Sequence, residues 1–363
     1  MSPSTKSNLN IGRAVDWQFA AAVGAKLARP GPAATDYTHR QVVEQLTEAA
    51  RTSELPVRDV TGLIEGGEIP EARIVDRVEW IRAATRSMRV MTGGSNTCAE
   101  KDEAKPHPIA GRITGAQTGA VLAFISSGIL GQYDPFGPDG GELLLVYPNV
   151  IAVERQLRVQ PADFRLWVCL HEVTHRVQFR ANPWLADHMS QSLAVLTEDA
   201  GEDVTQVVGR LAEFVRRNRN GGSDVNGAAP EPNTTGVIGL LRAVQSEPQR
   251  KALDQLLVLG TLLEGHADHV MDAVGPKVVP SVATIRRRFD ERRQRKQPPL
   301  QRVVRALLGF DAKLLQYTRG KAFVDHVVSR VGMARFNSVW SGPETLPLPT
   351  EIDEPQRWID RVL

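Results

Sequence analysis

The chain has two cysteines in 363 residues and only 6% aromatic residues. Cys98 and Cys169 stand far apart and form no C-x-x-C pair, which excludes a disulfide scaffold and fits a reducing compartment. An excess of either charge is also missing, since 44 basic and 42 acidic side chains leave a net charge of +2. No global attraction to nucleic acid or to an anionic membrane follows from that balance. Long hydrophobic runs are absent too. The best candidate, Ala116 to Leu130, is interrupted by Gln117, Thr118, Ser126 and Ser127 and falls short of the roughly 20 apolar residues a bilayer requires. It is expected to be a buried small-residue helix, with no membrane span. Near the N-terminus, Lys6 and Arg13 precede an apolar stretch that Asp16 and Gln18 break, which argues against a secretory signal and leaves the cytoplasm as the expected location.

What is present is an ordinary globular composition, 42% hydrophobic, enough to bury a sizeable core. Helical periodicity dominates the first hundred residues, in segments such as Gln41 to Thr52 and Ile74 to Met91. Thr92 to Pro108 is polar and reads as a loop, so the expected division is a helical region at 1–105 and a second region at 106–363. Gln132 to Gly141 reads as a connection, and Leu143 to Tyr147, closed by Pro148, as a strand with further partners. Pro161 opens a helix that Asn182-Pro183 stops, and a second long helix runs from Glu247 to Val274 before Gly275-Pro276. Arg217 to Thr235 has loop composition, and helix returns over Arg302 to Arg330.

The first of those helices carries His171-Glu172-Val173-Thr174-His175. Four residues apart, the two histidines lie on one helix face and can reach a single metal ion. Glu172, rotated by about 100°, can address a water on that metal. Such a pattern arises by chance in roughly one chain of this length in a hundred, so it calls for a third ligand. The metzincin arrangement is excluded, because Gln178 and Ala181 occupy the positions of its glycine and third histidine. A better source is Leu263-Glu264-Gly265-His266-Ala267-Asp268-His269 on the second long helix, where Glu264 and Asp268 share one face and Leu263, Ala267, Val270 and Val274 form an apolar stripe. Glu264 is the first candidate, with His266, Asp268 and His269 as alternatives in the same segment.

An H-E-x-x-H helix followed by one carrying E-x-x-x-D resembles the gluzincin metallopeptidases, of which thermolysin is the familiar type. That resemblance implies zinc ligands at His171, His175 and Glu264, a general base at Glu172, and a hydrogen bond from Asp268 to His171 behind the metal. The chain departs from the thermolysin pattern in the separation of the helices, about ninety residues, and in Arg176, where zincins commonly have an uncharged residue. It is more similar to an actinobacterial zincin-like family of hydrolases, some labelled as coenzyme F420 biosynthesis-associated. The likeness rests on Trp167 to His175 with Gln178-Phe179, on Leu263 to Asp268, and on the tail Phe336-Asn337-Ser338-Val339-Trp340 with Pro343-Glu344-Thr345-Leu346-Pro347. It runs from about Asp16 to the end, and the F420 label reads as a genomic association. The implied fold is mainly α (α+β), a zincin-like metalloprotease fold with a small β-sheet and an N-terminal helical layer.

The expected chemistry is zinc-dependent hydrolysis of a peptide or protein substrate, with Glu172 activating water against a carbonyl. The strand Leu143 to Tyr147 is the expected edge for an extended substrate. One rival is a non-catalytic zinc-stabilised interaction or scaffold protein; another uses the basic segment Arg286 to Lys296 to bind nucleic acid. Acids interrupt that segment and only Phe289 is interleaved, which argues against nucleic acid as a partner. Tyr133, Tyr147, His269 and Tyr317 are open candidates for an oxyanion stabiliser. Substrate identity and oligomeric state are not legible at this level.

Overall fold

The structure is a computed structural model that describes residues 15–64, 66–92, 109–197, 246–294 and 310–363, with side chains except at 197, 293, 294 and 310–318. Cys98, the expected boundary at 105/106, the loop Arg217 to Thr235, Arg295-Lys296, residues 302–309 and the side chain of Tyr317 lie outside the described residues. In chain order the elements are α1 (Trp17–Leu27), α2 (Asp36–Thr61), β1 (Arg73–Val75), α3 (Arg77–Met91), α4 (Ala110–Ser126), β2 (Gly131–Asp134), β3 (Glu142–Val146), α5 (Tyr147–Leu157), α6 (Pro161–Ala181), α7 (Trp184–Thr197), α8 (Glu247–Val274), α9 (Val282–Gln294), α10 (Phe310–Val331), α11 (Met333–Phe336) and α12 (Pro355–Val362). The fold is mostly helical with one three-stranded sheet, the class expected.

Every residue of β3 is buried, because the strand lies in the middle of the sheet, in the order β1-β3-β2. β1 runs parallel to it, pairing Ile74 with Leu145, and β2 antiparallel, pairing Gly131 with Leu145 and Tyr133 with Leu143. Alternate side chains of a strand point to opposite faces. Leu143 and Leu145 accordingly enter the larger core, built with α2, α6, α8 and α10, while Leu144 and Val146 join Trp80, Ile81, Leu122 and Ala123 in a smaller one under α3 and α4. The continuous apolar run in the sequence is this two-sided burial.

Three expectations about elements need correction. Ile74 belongs to a strand and not to the following helix, which begins after Asp76; Asp76 and Glu79 form a reciprocal capping box that fixes the start of α3. The segment Gln132 to Gly141 begins as β2 rather than as a connection, held by Trp80 Nε1 donating to Gln132 Oε1 at 2.9 Å and by Ser87 Oγ donating to Asp134 at 2.7 Å. Finally, the strand expected at the edge is central, and β2 is the edge beside α6. The small-residue segment is α4, with Gly111, Gly115 and Gly119 buried. Among the described residues, no helix is long and apolar enough to cross a membrane.

Candidate metal centre

α6 starts at Pro161, where a missing N–H costs nothing, and its apolar side, Leu170, Val173 and Val177, is fully buried. That anchoring fixes the rotation of the helix and turns His171 and His175 toward α8. There, Leu262, Ala267 and Val270 are buried in turn and present Glu264 to the histidines. Nε2 of His171 lies 3.2 Å from Nε2 of His175 and 3.2 Å from Oε2 of Glu264, and His175 Nε2 is 3.6 Å from the same oxygen. His171, His175 and Glu264 are the group of His, Cys, Asp or Glu side chains among the described residues that could hold a metal ion. His266, Asp268 and His269, the alternatives on α8, are engaged elsewhere.

The hydrogen-bonding roles around the three atoms follow from their partners. Nδ1 of His171 faces the Met271 sulfur at 3.3 Å, and Nδ1 of His175 faces Oε1 of Gln178 at 2.9 Å. A thioether and an amide oxygen can only accept, so each imidazole donates from Nδ1 and turns its Nε2 lone pair inward. Oε2 of Glu264 is buried and makes no hydrogen bond of good geometry. Three lone-pair atoms therefore converge with nothing of their own to separate them. Tetrahedral zinc with bonds of about 2.0–2.1 Å sets its ligand atoms about 3.3 Å apart, and the three observed edges match. The side chains are 19%, 14% and 20% exposed, while the Glu264 oxygen between the imidazoles is itself buried.

Without a metal, protons take up the repulsion. Burial opposes charge on His175, but the neighbouring Glu264 and then Glu172 outweigh it and raise its pKa to about 9. Burial likewise disfavours the Glu264 carboxylate, yet His171 and His175 hold its pKa well below the usual range. Glu172 is itself buried and runs past the start of β2. A Cβ on Gly131 would stand 2.6 Å from Glu172 Cγ and 2.9 Å from Cδ, so only glycine lets the edge strand lie against this carboxylate. Beyond Tyr133 and Phe179, whose rings are 5.9 Å apart, a cavity of about 320 Å³ opens between β2 and the end of α6, rimmed by Pro135, Arg180 and Pro183.

The chain also matches known proteins. The profile of a family described as "zincin-like metallopeptidase" aligns with residues 15–359. The chain belongs to that family. Its similarity extends to a crystal structure from Chloroflexus aurantiacus described as "a putative hydrolase with a novel fold", 28% identical, with a TM-score of 0.64 over 96% of this chain and 98% of that one. Among curated proteins no match is found. Membership of a zincin-like family and likeness to a hydrolase support hydrolytic activity, and the family implies a metal.

The hydrogen bond expected from Asp268 to His171 is not the one this zincin makes. Arg286 of α9 takes the Asp268 carboxylate at 3.1 Å and the Asp268 carbonyl at 2.9 Å, while also bonding Asp272 at 2.8 Å and lying over the Trp167 ring. Met271, one turn further along α8, is what His171 meets. Arg176, unexpected beside a zincin motif, points away from it, to Glu54 of α2 and the Pro70 carbonyl. The candidate oxyanion groups are spread out. Tyr133 donates to the Gly140 carbonyl, Tyr147 of α5 lies against His39 of α2, and His269 is bonded to Asp325 at 2.6 Å. Sequence reading missed Met271 and Gly131; the first is legible as seven residues after Glu264 on the same helix face, the second has no sequence signal.

Proposed function

We propose that this chain is a zinc-dependent hydrolase acting on peptide bonds. The observation that carries the reading is the convergence of His171 Nε2, His175 Nε2 and Glu264 Oε2 at close to tetrahedral spacing, on partly exposed side chains, with the charge of Glu172 near enough to act on His175. When bound there, zinc supplies the Lewis acidity that makes water a nucleophile at neutral pH and polarises a carbonyl. His171, His175 and Glu264 hold it, and Glu172 takes the proton from the attacking water and delivers it to the leaving nitrogen. A partly exposed ligand set beside a base suits turnover better than a closed structural site, which has no use for Glu172.

An extended peptide fits this chemistry because β2, an edge strand, starts against Glu172 and offers main-chain pairing. The cavity lined by Tyr133 and Phe179 would take a side chain further along such a peptide. The reading leaves nucleic acid aside: of the basic segment, Arg286 bonds Asp268 and Asp272, Arg288 the Leu157 and Arg158 carbonyls, and Arg292 Gln156.

Zinc content and hydrolysis of a peptide library, measured on the purified chain and on Glu172→Gln, test this. The expected result is one zinc in both proteins and turnover reduced about 10²–10⁴-fold in the variant. Undiminished turnover in Glu172→Gln contradicts the assigned base, and zinc without turnover in either protein supports a non-catalytic scaffold instead.

A further inference from the structure

Gln178 is completely buried, one turn beyond His175 on the same face of α6. Its side-chain nitrogen lies 3.0 Å from the Leu263 carbonyl oxygen and 2.9 Å from Nδ1 of His266, and its oxygen lies 2.9 Å from Nδ1 of His175. A carbonyl has no proton to give, so the atom facing Leu263 must be the amide nitrogen and the amide cannot be turned round. The oxygen is then committed to His175, whose Nδ1 must carry the proton. The second amide hydrogen runs to His266, whose Nδ1 must be bare.

His266 is suited to that part. It is fully buried, stacked on Phe336 at 5.4 Å and set edge-on to Trp340 at 5.5 Å. Its Nδ1 is the acceptor because Gln178 Nε2, which also reaches the Leu263 carbonyl, can only donate. Its Nε2 is buried without a hydrogen-bond partner, so Nδ1 makes the polar contact of the ring and the aromatic neighbours hold the rest. Here Phe336 and Trp340 hold His266, His266 holds Gln178, and Gln178 faces His175.

We propose that Gln178 is a positioning residue that locks His175 in the Nδ1–H tautomer, leaving Nε2 free to ligate, with His266 and the C-terminal aromatic pair as its anchor. The inference rests on the reading of His175 as a metal ligand and adds to it the group that sets its tautomer. Free imidazole side chains prefer the proton on Nε2, so the lock works against the intrinsic preference.

The test uses the full-length, metal-free protein labelled with ¹⁵N-histidine, at about pH 10.5, well above the ordinary imidazole range, where long-range ¹H–¹⁵N spectra separate the two neutral tautomers. Wild type is expected to show His175 protonated on Nδ1. Gln178→Met, which keeps length and removes the amide, is expected to move the proton to Nε2 and to weaken zinc binding, measured by chelator competition, about 10–100-fold. A proton on Nε2 in wild type overturns the proposal, as does Gln178→Met with wild-type tautomer and affinity. If Gln178→Met does not fold, the wild-type spectrum still decides, because a proton on Nε2 overturns the lock and one on Nδ1, against the intrinsic preference, sustains it. Nδ1–H in a wild-type protein that binds no zinc would refute the metal reading and leave the tautomer lock standing.

Discussion

At the residue scale, the arrangement separates groups that face the metal position from those that merely lie near it. Glu264 contributes a buried oxygen between two imidazoles, whereas Asp268, one turn on, is bonded to Arg286. The two should respond differently to truncation. With Glu264 as the proposed third ligand, Glu264→Ala is expected to abolish zinc retention through gel filtration. Asp268→Asn is expected to change zinc affinity less than about tenfold and instead to lower stability by about 1–2 kcal/mol, the range for a partly buried charged hydrogen bond. Calorimetric zinc titration and thermal melts of both variants check this, and equal loss of zinc would restore Asp268 to the place behind His171 that the gluzincin resemblance implies. The histidines, Glu172 and Glu264 were legible in the sequence because helix spacing alone puts them on shared faces. The partners of their outer nitrogens were not, since Met271 and Arg286 come from rotations and neighbours that only packing decides.

Among the elements, the decisive contact is the crossing of α8 and α10. A Cβ on Gly265 would stand 2.1 Å from the carbonyl carbon of Gly320, and one on Gly320 would stand 2.0 Å from the Thr261 carbonyl oxygen. The helix backbones therefore touch directly beside Glu264. Gly265→Ala must push α8 from α10, at a cost of about 1–3 kcal/mol for overpacking, and it should carry Glu264 away from the histidines. The expected outcome is a lower melting temperature together with weaker zinc binding in competition with a chelator. Zinc affinity unchanged in a destabilised variant would mean that Glu264 moves independently of the crossing. Helices are well read from sequence where caps and apolar stripes agree, as at Pro161 and along Leu170, Val173 and Val177. Strands β1 and β2 were missed because they are three and four residues long and owe their form to β3. A strand that short has no period of its own to read.

Over the whole molecule, distant parts of the chain meet around the site. The tail closes against it: Phe336 stacks on His266, Trp358 is fully buried and donates to the Thr345 carbonyl at 2.7 Å, and Trp184 of α7 donates to the Trp340 carbonyl at 2.8 Å. Arg361 fastens this tail with two hydrogen bonds to Glu351, at 2.7 and 2.8 Å, and others to the Glu344 and Leu346 carbonyls. Burial would raise the Glu351 pKa, but Arg361 and the Leu348 N–H lower it overall. A carboxyl depressed on folding adds stability that is complete above its unfolded pKa, near 4.5, and that is lost as pH falls through its folded value. Wild type should therefore lose stability more steeply than Glu351→Gln as pH drops below about 4.5, measured as melting temperature against pH; parallel curves would show that the ion pair contributes nothing. The sequence marked this tail as part of the family likeness, but its function as a support for His266 depends on a contact between residues seventy positions apart.

The central claim is that His171, His175 and Glu264 bind one catalytic zinc. Crystals grown with zinc and measured at its absorption edge test it most directly. An anomalous peak is expected between His171 Nε2, His175 Nε2 and the Glu264 carboxylate, with the fourth position facing solvent beside Glu172. No peak there, or a peak whose fourth position is closed by another protein side chain, would contradict the account.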